Sequence, residues 1–373
     1  MKKKDHFDIV IVGTGAGGGT LLHRLADTGK RILIVDRGDF IPKEKDNWDT
    51  EQVFLKGKYK TKEKWYDKAD KPFSPGQHYC VGGNTKMFGA ALFRLREEDF
   101  GVVRHHDGVS PEWPIAYSDL KDYYYEAEQL YHVNGDRGSD PTEPAEGRPY
   151  RHKGLSHEPR IQKLFDDLTT YGLKPFPLPM GVVREDGQGA EIVLDRFDGY
   201  PDPTESKADA HVVSIKQAIK KDNVTLWTNC KVEQINTKNS AKEVSDLTLT
   251  KDGETITVSA DIYCLCAGAI NSAALLLKSA NDKHPNGLAN SSDQVGRNYM
   301  CHNNTAMLAL SIKPNDTKFG KTFAINDFYH SSPDFNFPLG HIQMLGKSDA
   351  TMFREEAPMI APNFSLEYIA EHV

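Results

Sequence analysis

The chain has 373 residues, enough for about two domains with a sizeable buried core. At 38% hydrophobic and 27% charged residues it has the composition of a globular protein, and no apolar run approaches the length of a membrane-spanning helix. Its net charge of −7 argues against a surface built to hold nucleic acid or anionic lipid.

The first predicted strand, Asp8-Ile9-Val10-Ile11-Val12, runs straight into the turn Gly13-Thr14-Gly15-Ala16-Gly17-Gly18-Gly19. The basic start Lys2-Lys3-Lys4 precedes an apolar run too short for a secretory signal, so the segment reads as a buried strand. A helix follows over Thr20 to Ala26, and a second strand, Arg31 to Val35, ends on Asp36. Strand, glycine turn, helix and a terminal acid form the dinucleotide-binding fingerprint in its full context. Gly13 serves the tight turn, Gly15 lets backbone approach a pyrophosphate, and Gly18 lets helix pack on strand. The helix N-terminus offers N–H groups and a positive dipole end to phosphates. Asp36 stands where a carboxylate accepts hydrogen bonds from an adenosine ribose. It also repels a 2′-phosphate, although the neighbouring Arg37 works against that exclusion.

Pro42 to Tyr66 is lysine-rich and polar and reads as a surface excursion. Val81-Gly82-Gly83-Asn84-Thr85 opens another glycine turn towards Ala90-Ala91-Leu92-Phe93. After Trp113-Pro114-Ile115 a helix is predicted from Tyr117 to Tyr131 with Ser118 as its N-cap. Asp136 to Tyr150, rich in Gly, Pro and acids, reads as an irregular loop. Beyond Lys207, Val212 to Ile219 begins a helix and Val224 to Thr228 is strand-like. Lys231 to Ile235 alternates with period two. Leu247–Thr250 and Thr255–Val258 flank Asp252-Gly253, a hairpin signal. Ile262-Tyr263-Cys264-Leu265-Cys266 then runs into Ala267-Gly268 and the helix Ala269 to Leu277, a second strand–glycine–helix unit. One nucleotide domain assembled from both ends of the chain favours FAD over the continuous sheet of an NAD dehydrogenase, which is the alternative. The expected fold class is α/β. A Rossmann-like FAD-binding domain spans 1–105 and 205–300, and an α+β substrate domain spans 106–204 and 301–373.

The five cysteines, Cys80, Cys230, Cys264, Cys266 and Cys301, are odd in number and scattered, which argues against a disulfide framework and fits a reducing, cytoplasmic setting. Cys264 and Cys266 point to one face of a strand without partners at ligand spacing, so they read as small buried apolar residues and no metal site is expected.

Together these segments resemble the glucose–methanol–choline (GMC) oxidoreductases, FAD-dependent enzymes acting on alcohols and sugars. The resemblance rests on the fingerprint with Asp36, Val81–Thr85, Trp113-Pro114-Ile115, Ala267-Gly268-Ala269-Ile270-Asn271-Ser272, and Val295-Gly296-Arg297-Asn298. Their order and spacing are similar to the bacterial branch with gluconate dehydrogenase large subunits and pyranose oxidases. The resemblance implies that Gly13, Gly15 and Gly18 hold the pyrophosphate and Asp36 the ribose. It places Gly82, Gly83 and Asn84 beside the pyrophosphate and flavin. It sets Val232 against the adenine edge through its backbone, and Ala267 and Gly268 against the adenosine half. Met87 stands where some relatives attach FAD through a histidine, so non-covalent FAD is expected. Glu191 to Asp202 contains no cysteine, so no iron–sulfur cluster is expected there.

The resemblance also implies a small alcohol or sugar substrate and an electron acceptor that the sequence does not specify. The family's catalytic His, with its His or Asn partner, lies in a C-terminal part beyond Glu371-His372-Val373. The expectation is therefore an FAD-dependent oxidoreductase in shortened form. The alternative is a non-catalytic remnant or half-enzyme that needs a C-terminal partner. His302, His341, His105, His106 and His372 are not assigned as the base, and no catalytic residue is named.

Overall fold

The computed structural model describes residues 5–67, 69–144, 147–183, 198–302, 304–354 and 361–373. Lys2 to Lys4 and residues 191–197 of the cysteine-free stretch lie outside the described residues. The chain folds as two units. The first comprises Met1–Glu44, Gly57–Lys86 and Asp209–Met307, and the second comprises Lys45–Lys56, Met87–Ala208 and Leu308–Val373.

The first unit is built on a six-stranded sheet. Its strands are β1 (Asp5–Val12), β2 (Ile32–Val35), β3 (Val224–Trp227), β4 (Cys230–Thr237), β5 (Val244–Lys251) and β6 (Glu254–Leu265), ordered β3-β2-β1-β6-β5-β4. The first four in that order are parallel, with Ile9 beside both Ile32 and Ile262. The last two add antiparallel strands. Parallel strands covered on both faces explain the unbroken apolar runs of β1 and β2. Val10, Val12, Leu33 and Val35 pack one face with Leu247, Leu249 and Leu275. Ile9, Ile11, Ile32 and Ile34 pack the other with Leu22, Ala26 and Ile215. Asp252 and Gly253 both take positive φ, 51° and 81°, the requirement of the two-residue hairpin joining β5 to β6.

Helix α1 (Ala16–Leu25) follows β1, and α2 (Gly268–Lys278) follows β6. The expected helix at 212–219 is instead a π-helical turn, His211–Ile215, continued by the short helix Lys216–Ala218. Gly18 sets how closely α1 lies on the strands. A Cβ there would collide with the Gly13 carbonyl and meet the Cys266 side chain at 3.3 Å.

The second unit carries a three-stranded antiparallel sheet of Ile342–Gln343, Phe323–Ile325 and Pro175–Pro177. Among the described residues, the helices Tyr117–Leu130, Pro159–Thr170 and Leu366–His372 belong to it. Its core includes Ala90, Phe176, Leu178, Met180, Val182 and Phe319. The buried Arg94 is paired in this unit, as burial demands: it forks onto Glu128 at 2.6 and 2.7 Å, and Arg137 reaches the same carboxylate at 2.6 Å.

Residues 45–56, 87–105 and 205–208, expected in the nucleotide-binding domain, pack in the second unit, and residues 301–302 and 304–307, expected in the substrate domain, pack in the first. Thr50 explains the first of these. Its hydroxyl meets Tyr200 Oη and Asp349 Oδ2, each at 2.9 Å, while Phe54 packs edge-on against Tyr200. The helix at 117 is capped differently from the expectation. Ala116, in extended backbone, holds the N-cap position, and its N–H donates to Asp119 Oδ2 at 2.9 Å. Ser118 lies inside the first turn.

The close approach at Gly18 predicts that Gly18→Ala lowers stability by about 1–3 kcal/mol, the usual cost of overpacking. Urea unfolding of the purified variant measures it, and an unchanged midpoint contradicts it.

Candidate functional site

At one end of the parallel strands, the first unit opens a cleft of about 490 Å³. Its walls are the turn from β1 to α1, the end of β2, residues 77–85, the start of β4, and the start of α2. Gly15 is the N-cap of α1, and no side chain caps that helix. A Cβ at Gly15 would meet nothing within 4 Å, so it would project into space that the chain leaves open. An uncapped helix N-terminus on open space is a ready anion site.

Thr14, buried at the base of the cleft, ties three segments together. Its hydroxyl donates to Asp36 Oδ2 and accepts from the Gly82 N–H at 3.0 Å, while its own N–H donates to the same Asp36 oxygen at 3.1 Å. Gly38 N–H donates to Asp36 Oδ1 at 2.9 Å. Burial pushes the Asp36 carboxyl above its usual range, against the downward pull of these hydrogen bonds.

The glycine turn at 82–83 is fixed from behind. Thr85 Oγ1 donates to the Gly82 carbonyl at 2.6 Å and accepts from Ala210 N–H at 3.0 Å. Lys86 and Asp209, both buried, pair at 2.8 Å. On the cleft wall the Arg37 guanidinium lies over the Tyr79 ring, 3.7 Å from its centroid. It also pairs with Glu63, whose other oxygen accepts from Tyr79 Oη at 2.6 Å. Burial pushes Glu63 up, but the bonds from Tyr79 and Arg37 outweigh it and hold the carboxyl below its ordinary value.

Eight of the ten residues expected at the cofactor line this cleft: Gly13, Gly15, Asp36, Gly83, Asn84, Val232, Ala267 and Gly268. Gly18 and Gly82 stand behind its wall. Gly18 packs α1 on the strands, and Gly82 donates to Thr14. Sequence reasoning missed Thr14, Glu63, Tyr79, Asn271 and Lys278, which also line the cleft. A threonine between two fingerprint glycines and a lysine at the last position of a helix carry no motif of their own. Cys264 and Cys266, expected to be buried, are both half-buried. Cys266 lines the cleft with Cys80 and Cys230. Burial pushes the Cys80 thiol up to about 12 and Cys230 up to about 11, so both stay protonated at neutral pH.

Residues 47–304 match the GMC oxidoreductase family. The chain belongs to that family. GMC oxidoreductases are FAD-dependent, and the chain is 29% identical over 303 residues to the 6‴-hydroxyparomomycin C oxidase of Streptomyces lividus, covering 78% of this chain and 53% of that protein. It is 26% identical over 372 residues to the 2-methyl-1,2-propanediol dehydrogenase of Mycolicibacterium austroafricanum, covering 92% and 64% respectively. A solved FAD-dependent oxidoreductase from Chaetomium thermophilum superposes with a TM-score of 0.50 at 14% identity, over 74% of this chain and 47% of that one; the likeness is one of fold. The chain thus spans between about half and two thirds of the length of these GMC relatives.

Among the described residues, no group of three or more His, Cys, Asp or Glu side chains could hold a metal ion. No helix among them is long and apolar enough to cross a membrane. Of the histidines weighed from sequence, His341 in the second unit packs on Phe93 at 4.8 Å between ring centroids, and burial lowers its pKa. His105 ends a short strand, paired in a hairpin with Gly108–Ser110, and its ring meets Ser110 Oγ at 2.9 Å.

Two predictions follow from the Thr14 bridge. Thr14→Val leaves the Gly82 N–H without its acceptor and removes a donor from Asp36, a loss of about 1–3 kcal/mol. Thr14→Ser retains most of that stability. Chemical unfolding of the two variants separates the hydroxyl's effect from that of side-chain volume, and equal losses contradict the bridge.

The second prediction concerns pH. Because the folded Asp36 pKa is raised above 3.8, its contribution is fully present below that value and is lost as pH rises through the elevated native value. The stability of the native sequence relative to Asp36→Asn therefore falls across that window. A difference independent of pH contradicts it.

Proposed function

We propose that this chain holds FAD without a covalent bond, as part of an oxidoreductase acting on a CH–OH group of a small alcohol or sugar. The carrying observation is the juxtaposition, in one cleft, of the uncapped N-terminus of α1 and the buried Asp36 carboxylate. The pyrophosphate would lie against Gly13, Gly15 and the first turn of α1, with Gly18 and Gly82 supporting that backbone from behind. Asp36 would accept from a ribose hydroxyl, Val232 would meet the adenine through its backbone, and Ala267 and Gly268 would flank the adenosine half. Gly83 and Asn84 would stand on the flavin side. Met87 offers a thioether and no nucleophilic nitrogen for a covalent link, which supports the non-covalent reading.

When bound, FAD supplies the hydride acceptor for alcohol oxidation. This chain's residues supply binding and orientation. Backbone donors face the phosphates, and the buried carboxylate fixes the ribose without a mobile side chain. The first unit is read as the FAD-binding domain and the second as the substrate domain. Support for the substrate class comes from relatives named as oxidases and dehydrogenases of hydroxylated compounds. All five cysteines are free, which favours a reducing, cytoplasmic setting.

Titrating the purified protein with FAD tests the cofactor reading. Saturable binding is expected, with a flavin band at about 450 nm that leaves with the supernatant on acid precipitation. Asp36→Ala is expected to weaken binding by about tenfold, the loss of one good charge-assisted hydrogen bond. Absence of binding, or flavin that stays with the precipitate, contradicts the proposal. Reduction of the bound flavin by a panel of alcohols and sugars then tests the substrate class.

A further inference from the structure

Every lysine and arginine that lines the cleft of the first unit already has a carboxylate partner. Arg37 is held by Glu63 and stacked on Tyr79. Lys231 reaches Glu233 Oε2 at 2.9 Å, and Lys278 reaches the same oxygen at 3.4 Å. His78 is turned to the Tyr59 carbonyl at 2.9 Å, and burial lowers its pKa, which favours the neutral ring. The start of α1, which no side chain caps, faces the same cleft.

Glu63 completes a three-way lock. One of its oxygens takes the Arg37 guanidinium, and the other takes the Tyr79 hydroxyl. The planar guanidinium is thereby fixed both across its face and at its edge. Arg37 directly follows Asp36, the residue placed at the ribose, so its availability decides what the ribose can carry. A ribose 2′-phosphate arriving there meets two carboxylates, Asp36 and Glu63, and an arginine that is already engaged.

We propose that Glu63 is a specificity-determining residue, which withholds Arg37 from the ligand and so restricts the cleft to adenine dinucleotides with an unphosphorylated ribose. The inference rests on the dinucleotide reading of this cleft. It settles the ambiguity of an Asp-Arg pair at the end of β2, where the aspartate rejects a 2′-phosphate and the arginine invites one. Exclusion here comes from an unfavourable site for the wrong ligand as much as from contacts to the right one.

Calorimetric titration with 5′-ADP and with adenosine 2′,5′-bisphosphate tests it on the intact protein, on Glu63→Gln, and on Glu63→Gln combined with Arg37→Gln. The Glu63 side chain is 41% exposed, so its replacement leaves the core intact. The native sequence is expected to favour 5′-ADP by about tenfold or more, and Glu63→Gln to tighten bisphosphate binding by about tenfold while moving 5′-ADP by less than about threefold. Adding Arg37→Gln removes the gain. An unchanged preference in Glu63→Gln, or a gain that survives the loss of Arg37, overturns the inference while leaving the dinucleotide reading intact. Failure of 5′-ADP to bind the native sequence overturns that reading and the inference with it.

Discussion

The Thr14 hydroxyl stands between the Gly82 N–H and the Asp36 carboxylate, and the geometry of the cleft depends on that buried pair of hydrogen bonds. A carboxylate taken out of water is costly unless donors surround it. Asp36 has them from Thr14 N–H, Thr14 Oγ1 and Gly38 N–H. An ionised carboxylate offers about four acceptor sites, so these donors fix its direction and still leave capacity for a ligand hydroxyl. The same threonine anchors the glycine turn at 82, so Asp36 and that wall of the cleft are held through one side chain.

This arrangement explains how an acidic chain can hold a doubly anionic pyrophosphate. The cleft presents the N-terminal end of α1, which no side chain caps and whose partial positive charge acts at short range. Its cationic side chains are spent on carboxylates: Arg37 on Glu63, and Lys231 and Lys278 on Glu233. Backbone donors read a phosphate by position, whereas free lysines and arginines would attract any anion. On the proposed reading, the cleft selects by shape at the phosphates and by charge at the ribose.

Much of the first unit was legible in the sequence because its signals are local. The apolar runs of β1 and β2, the glycines after β1, Asp252-Gly253 and the run into α2 each state their structure within a few residues. These strands, the hairpin and α2 formed as read, although α1 begins at Ala16 and the segment after Ala210 is a π-helical turn, and eight of the ten expected cofactor residues line one cleft. What escaped depends on long-range contact. Thr14 acquires its role only when Gly82 comes to it from a separate segment. Arg37 looked open because its partner Glu63 lies on another stretch of chain. Residues 45–56 looked like a polar excursion because the partners of Thr50, Tyr200 and Asp349, lie far along the chain. Ser118 was the better N-cap by residue type, yet Asp119 supplied the capping bond to Ala116 and moved the helix start forward.

Hydrogen–deuterium exchange with and without FAD tests the central claim most directly, because it reports on the backbone donors themselves. The account predicts added protection in residues 12–18, 79–85 and 266–271 of the first unit, where the turn after β1, the Gly82-Gly83 turn and the start of α2 meet. Protection absent from these three segments, or confined to the second unit, would contradict it.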